Sequence, residues 1–261
     1  MTNNRTTHRT FEILEFIASN NKACTLAIIS KALEIPKTST YDIISTLCKD
    51  GYLQIENKEL SSYVLGVKMF QLGYSYLNNM SVYQLCQPYL IDLANKLNKT
   101  ILVASLVGDK IIYFNKREPS QRFVGIATEG ATQPAYSTGL GKAILAALTN
   151  KRVLEIMGEG PYVKKTKQTV DNYESLIKEL DSIRERDYCI DNCENEDGIY
   201  CIALPILNHL NEPVAGISAT GMKSQYDKET RLLAACEIKK IALDISHKLG
   251  FEGNNLFNLE K

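Results

Sequence analysis

Apolar residues recur at helical spacing through the first fifty positions, then give way to alternation. Phe11, Leu14, Ile17 and Ala18 mark the buried face of a helix over 8–19, and the polar run Asn20-Asn21-Lys22 ends it. Leu26, Ile29, Ala32 and Leu33 place one apolar stripe on a second helix. Glu34-Ile35-Pro36 breaks that helix, because the residue before a proline is pushed out of helical angles; Pro36 also suits the entry to a third helix. In the third helix Ile43, Ile44 and Leu47 face inward, while Lys37, Thr38, Ser39, Thr40, Tyr41 and Ser45 face out, and Gly51 supplies the stop. Tyr52-Leu53-Gln54-Ile55 and Ser62-Tyr63-Val64-Leu65 then bracket the polar turn 56–61 as a β-hairpin. Two helices joined by a tight turn and followed by a hairpin predict a winged helix-turn-helix unit over 1–66.

The pattern changes twice more. Val67, Phe70, Tyr74 and Leu77 lie on one side of a linker helix, 67–80, and Val82, Leu85, Tyr89, Leu93 and Leu97 on one side of the next, 81–98. ILVASLVGDKIIYFNKRE reads as two strands around Gly108-Asp109, with a third strand over 123–127 and a loop over 131–136. Helices follow over 138–148, 151–157 and 172–186, then strands over 200–207 and 214–220 and a last helix over 228–249. Strands interleaved with helices, joined by antiparallel hairpins, predict an α+β domain over 81–250, with 251–261 as a frayed tail.

Composition narrows the function. The chain has 261 residues, long enough for two cores, and no apolar run near the ~20 residues that span a bilayer. MTNNRTTHRT carries no hydrophobic signal region, so a cytoplasmic protein without a membrane partner is expected. Thirty Lys and Arg balance thirty Asp and Glu, and residues 1–60 are balanced as well. Phosphate neutralisation by that unit alone is therefore weak, and binding to DNA needs local clustering of Arg5, Arg9, Lys22, Lys31 and Lys37, and two copies. Seven cysteines, an odd number set mostly in apolar segments, favour reduced thiols over a disulfide framework.

Catalytic chemistry is thin. The chain lacks the short motifs of serine hydrolases, zinc proteases and P-loop enzymes, and its three histidines, at 8, 209 and 247, are scattered. Cys189 and Cys193 are too loosely spaced for a zinc site and lack a second pair, so no metal, cofactor or enzyme activity is expected. Thr138-Gly139-Leu140-Gly141-Lys142 opens a helix, and free N–H groups at such a start, with two glycines allowing close approach, are what a carboxylate needs. The same pentapeptide also reads as a tight turn that binds nothing. Ser218 and Thr220, two apart in a strand, put their hydroxyls on one face.

Five stretches in this order and spacing, EIPKTSTYDIISTLCKDGYL, SYVLGVKMFQLG, AYSTGLGKAILAAL, DYCIDNCENEDGIYCIALPI and EPVAGISATGM, resemble the IclR family of bacterial transcriptional regulators. The resemblance spans essentially the whole chain. It implies a GAF-like C-terminal domain that binds a small carboxylate or related metabolite, and a homodimer or homotetramer, most simply a repressor, on a double-stranded and palindromic operator. It implies base or backbone contacts from Lys37, Thr38, Ser39, Thr40, Tyr41, Asp42 and Ser45. By position it places Asp191 and Cys201 at the effector beside Gly139, Leu140, Gly141, Ser218 and Thr220, with Phe123, Gly125 and Gln133 at the wall and mouth. One departure stands out: where the family carries a basic or imidazole-bearing pair in the recognition helix, this chain has Tyr41-Asp42. Two other readings stay open on the residues, a cysteine-based enzyme built around Cys189, Cys193 and Cys201, and a protein-binding winged helix.

Overall fold

The computed structural model describes residues 4–20, 22–57, 61–79, 81–119 and 127–257. These form two compact units, Met1–Asn79 and Met80–Lys261.

The first unit is α1 (Arg5–Ser19), a two-residue strand β1 (Cys24–Thr25), α2 (Leu26–Ala32), α3 (Lys37–Lys49), the hairpin β2 (Leu53–Asn57) and β3 (Ser62–Leu65), and α4 (Val67–Asn79). Its core joins Ile13 and Ile17 of α1 to Ile29, Ile35, Ile43, Ile44, Leu47, Leu53 and Tyr63. Burying each large apolar side chain contributes about 1.5–3 kcal/mol, so this small unit rests on a dozen or so residues. Two stripes differ from the sequence pattern. Phe11 and Ala18 are exposed and Ile13 takes their place, because α1 meets α2 and β3 along one narrow line. Ala32 is exposed too, since α2 ends there. The hairpin gains a third strand that periodicity could not show: β1 pairs with β3, Cys24 opposite Tyr63.

The second unit is a six-stranded antiparallel sheet in the order β6-β5-β4-β9-β8-β7. Its strands are β4 (Thr100–Val107), β5 (Lys110–Arg117), β6 (Thr132–Pro134), β7 (Cys189–Asn192), β8 (Ile199–Leu207) and β9 (Pro213–Met222). α6 (Gly139–Ala146) packs on β8 and β9, flanked by α7 (Asn150–Met157) and α8 (Tyr173–Arg186). α5 (Ser81–Leu97) and α9 (Lys228–Lys248) pack together against β4, β5, β8 and β9. Buried on both faces, β8 reads as a nearly unbroken apolar run.

Several expectations change here. The loop over 131–136 contains β6, which pairs with β5 at Ile111–Gln133. β7, hidden among Asp, Asn and Cys, is the edge strand on β8. In α5 Val82, Leu93 and Leu97 are buried as expected, but Cys86, Leu90 and Ala94 complete the buried stripe, and Tyr89 is half-exposed with its hydroxyl on Asp244 and Lys248 of α9. The segment after α9 is packed as far as Phe257: Phe251, Leu256 and Phe257 are buried, and His247 Nε2 lies 2.9 Å from Gly253 O. Of the expected strand over 123–127, residues 123–126, with Phe123 and Gly125, lie outside the described residues and Ala127 is in no strand; the side chain of Leu77 lies outside them too.

Candidate functional site: the recognition helix and the sensor pocket

The turn into α3 is locked from both sides. Ser30 Oγ donates to Ile35 O at 2.7 Å, and Thr40 Oγ1 donates to Pro36 O at 3.1 Å. Thr40 is wholly buried by this role. Its expected place among the base-reading residues is therefore corrected: its hydroxyl staples the helix to the turn. The rest of the surface is as expected. Lys37, Thr38, Tyr41, Asp42 and Ser45 are exposed and Ser39 is half-buried, while Ile43, Ile44 and Leu47 hold the opposite face in the core. Tyr41 is 58% exposed, a large aromatic ring with no burial to explain it. A helix so anchored presents hydroxyls, a phenol, a carboxylate and a lysine, groups able to bond base edges and phosphates.

In the second unit a cavity of about 60 Å³ opens between the start of α6 and strands β7, β8 and β9. Register explains who lines it. Asp191 sits opposite Cys201, Cys201 opposite Thr220, and Leu102 opposite Ser218, so these side chains share one face of the sheet. Gly139, Leu140, Asp191, Cys201, Ser218, Thr220 and Gln133 all border the cavity. Tyr113, Thr138, Asn195 and Glu196 border it as well and were not anticipated.

The helix start is partly used by the protein itself. Asp191, 5% exposed, accepts N–H bonds from Gly139, Asn195 and Glu194, the last at 2.8 Å. Burial raises its pKa, against the pull of Lys142 and of those N–H groups. Thr138 caps the helix by accepting from Gly141 N–H at 3.1 Å. Gly141 is thus corrected from ligand contact to joint: a Cβ there would lie 2.2 Å from Ala135 O, so glycine lets α6 press on the preceding turn. At Gly139 a Cβ would stand 2.8 Å from Cys201 Sγ, inside the pocket lining.

Across the floor Ser218 Oγ and Thr220 Oγ1 are 3.3 Å apart, and both bond the Cys201 thiol. Burial, then the Asp191 charge, push that thiol up to about 12, and burial pushes Cys189 well up too. Both stay protonated at neutral pH, which removes the thiolate that a redox or nucleophilic role needs. Among the described residues, no three His, Cys, Asp or Glu side chains gather as a metal site.

The polar centre behind the pocket escaped sequence reasoning. Lys142, wholly buried, puts Nζ 2.5 and 2.6 Å from the two Glu194 oxygens, 3.1 Å from Ile190 O and 3.4 Å from Glu179 Oε1. Burial works against its charge, but the surrounding carboxylates outweigh it and hold it protonated. Glu194 is pushed up to about 7, chiefly by burial and against Lys142, since one ammonium cannot balance Glu194, Asp191 and Glu179 together. Thr169 Oγ1 donates to Glu194 O at 2.6 Å and Thr166 Oγ1 to Cys193 O at 2.7 Å, fixing the turn that carries Glu194. The one sequence signal was a lysine in the first turn of an otherwise apolar helix, where the helix dipole disfavours a cation.

A helix-turn-helix unit followed by an α+β unit that encloses a small polar pocket defines a DNA-binding regulator with a ligand sensor. A model of the IclR helix-turn-helix domain matches residues 6–56, and one of the bacterial transcriptional regulator IclR C-terminal region matches residues 74–247. The chain belongs to the IclR family, whose members are DNA-binding transcriptional regulators, not enzymes, with an effector-binding C-terminal domain. It is 25% identical to the HTH-type transcriptional regulator XynR of Escherichia coli over 93% of this chain and 96% of that protein. It is 28% identical to KdgR of the same organism, over 85% and 84% of the two chains. Among solved structures it is similar to the Thermotoga maritima IclR, with a TM-score of 0.77 and 30% identity, covering 94% of this chain and 99% of that one.

Proposed function

We propose that the chain is a cytoplasmic repressor that binds a two-fold operator as a homodimer or homotetramer and is released by a small carboxylate metabolite. Residues 1–66 read DNA, α4 joins the copies, and the second unit senses. The observation that carries the sensor reading is the convergence of Gly139, Asp191, Cys201, Ser218 and Thr220, far apart in sequence, on one enclosed cavity. Its chemistry narrows the effector. Lys142 is committed to Glu194, and among the described residues no cation lines the cavity; the Leu140 N–H at the helix start and the hydroxyls of Ser218 and Thr220 are the donors for an oxyanion. Asp191 accepts a ligand hydroxyl. A small hydroxy or oxo acid fits that set better than a dianion. On the DNA side, Ser39, Tyr41, Asp42 and Ser45 face the bases, and Lys37 and Thr38 the backbone.

The apolar face of α4 supports assembly: Val67, Phe70 and Tyr74 are at least half-exposed, and Phe70 stacks on Tyr74 at 5.7 Å. The test is fluorescence anisotropy of the full chain on its own upstream DNA, with a panel of hydroxy and oxo acids added. One acid should release the DNA, and Ser218→Ala with Thr220→Val should abolish that release while leaving DNA affinity intact. Unchanged release from the double variant would remove the effector from this pocket.

A further inference from the structure

Strand alternation makes a second site on the other side of the same ribbon. Asp191 and Cys201 point into the sensor pocket, so their neighbours Asn192 and Tyr200, also paired in register, point away from it. There they border a separate cleft of about 450 Å³ along the free edge of β7, between the end of α8 and the start of α9. Three cations face it: Arg186 from α8, Lys223 from the turn after β9, and Arg231 from α9.

Their hydrogen-bonding capacity is largely unspent. Arg231 lies 4.8 Å over the Tyr200 ring and donates from Nε to Tyr226 O at 2.9 Å, and among the described residues both terminal nitrogens of its fork are without a hydrogen-bond partner. Arg186 donates from Nε to Tyr188 O at 3.1 Å; its Nη2 is buried without a hydrogen bond among the described residues, 3.7 Å from Glu179 Oε1. Lys223 is in no ion pair among the described residues. Two carboxylates, Glu179 and Glu194, also line the cleft, and both are already paired. Glu194 is held at both oxygens by Lys142, Glu179 is shared between Lys142 and Arg186, and Asp227, which faces Arg231, caps α9 at Thr230 N. A buried guanidinium nitrogen without an acceptor is costly, and its natural complement is an oxyanion that takes two parallel N–H bonds.

We propose that this cleft is a second ligand site, separate from the sensor pocket, for a small metabolite bearing a phosphate group. Arg186 and Arg231 supply the fork contacts, Lys223 the balancing charge, and the amide of Asn192 a further donor. The ring of Tyr200, held between Arg231 and Tyr226, fixes one fork in place. The cleft volume falls in the range of sites that hold small metabolites.

The experiment is titration calorimetry and thermal denaturation of the full chain with inorganic phosphate, at constant ionic strength set with sodium chloride. Saturable heat and a rising Tm are expected, with affinity falling at least tenfold in Arg231→Gln and in Lys223→Gln. Lys223 is exposed and lies outside the core, so that variant keeps the fold whatever Arg231→Gln does. Ser218→Ala, in the sensor pocket, should bind phosphate as the wild type does; loss there instead would put the anion in the sensor pocket and overturn the proposal. Absence of saturable binding, or wild-type binding in both cation variants, would overturn it as well, and neither of these two outcomes bears on the carboxylate effector.

Discussion

Three residues decide the character of the sensor. Gly139 leaves room for a ligand only because it lacks a Cβ, which would crowd Cys201 Sγ at 2.8 Å and Asp191 Cβ at 3.2 Å. Gly139→Ala should therefore abolish release by the effector, read by anisotropy, while operator affinity in its absence stays within twofold. Lys142 and Glu194 set a pH dependence. Burial lifts Glu194 from the ordinary 4.5 to about 7, with Lys142, Glu179 and Asp191 as the charged groups facing it. Between those values the folded chain holds a proton that the unfolded chain has released. Unfolding free energy from this group is full below 4.5 and declines as pH rises through 7, by at most ~1.4 kcal/mol per unit. Urea titrations from pH 5 to 8 should show that decline, and Glu194→Gln should flatten it. Lys142→Met, which strands a buried carboxylate, should cost about 3–5 kcal/mol in the same assay.

At the scale of elements, α3 shows how periodicity succeeds and where it stops. Ile43, Ile44 and Leu47 were legible as the core face because their spacing matches the helix repeat. Thr40 was not, because a threonine at a helix start reads as surface unless its acceptors are known, and these are carbonyls in the preceding turn. The two roles separate by mutation. Thr40→Val should lower stability by about 1 kcal/mol and keep operator specificity, while Tyr41→Ala should keep the Tm and lose specific binding. A Tyr41→Ala protein that still discriminates its operator would move base reading elsewhere on α3. The strands β6 and β7 were missed for a related reason: three or four residues with Gln, Asp, Asn and Pro carry no alternation of their own and become strands only beside β5 and β8.

For the molecule as a whole, the tail marks the same boundary. GFEGNNLFNLEK reads as a polar, glycine-containing end, yet Phe251, Leu256 and Phe257 are buried. Ending the chain at Gly250 should lower the Tm of the second unit by several degrees, since each ring or leucine lost contributes about 1.5–3 kcal/mol before chain entropy is counted. An unchanged Tm would mean that the segment adds nothing to the fold. The sequence by itself determined what is local: the helix-turn-helix, the linker helix, the turns at 108–109 and 209–212, and the order of motifs that marks the family. These depend on spacing, caps and turn residues a few positions apart. It also named half of the pocket lining, because Asp191, Cys201, Ser218 and Thr220 sit in family-like stretches. Tertiary structure alone decided which hydroxyls are spent on the fold, that Gly141 is a joint and Gly139 a wall, and that Lys142 is buried under Glu194. It alone set the cationic cleft back to back with the sensor pocket. Gly139 against Cys201 and Lys142 under Glu194 join residues more than fifty positions apart, while Thr40 and Gly141 meet backbone only a few positions away; in each case the partner, and not the local pattern, fixes the role. The helix Lys37–Lys49 was visible from its own residues, whereas the cavity that would govern it exists only once the sheet has closed.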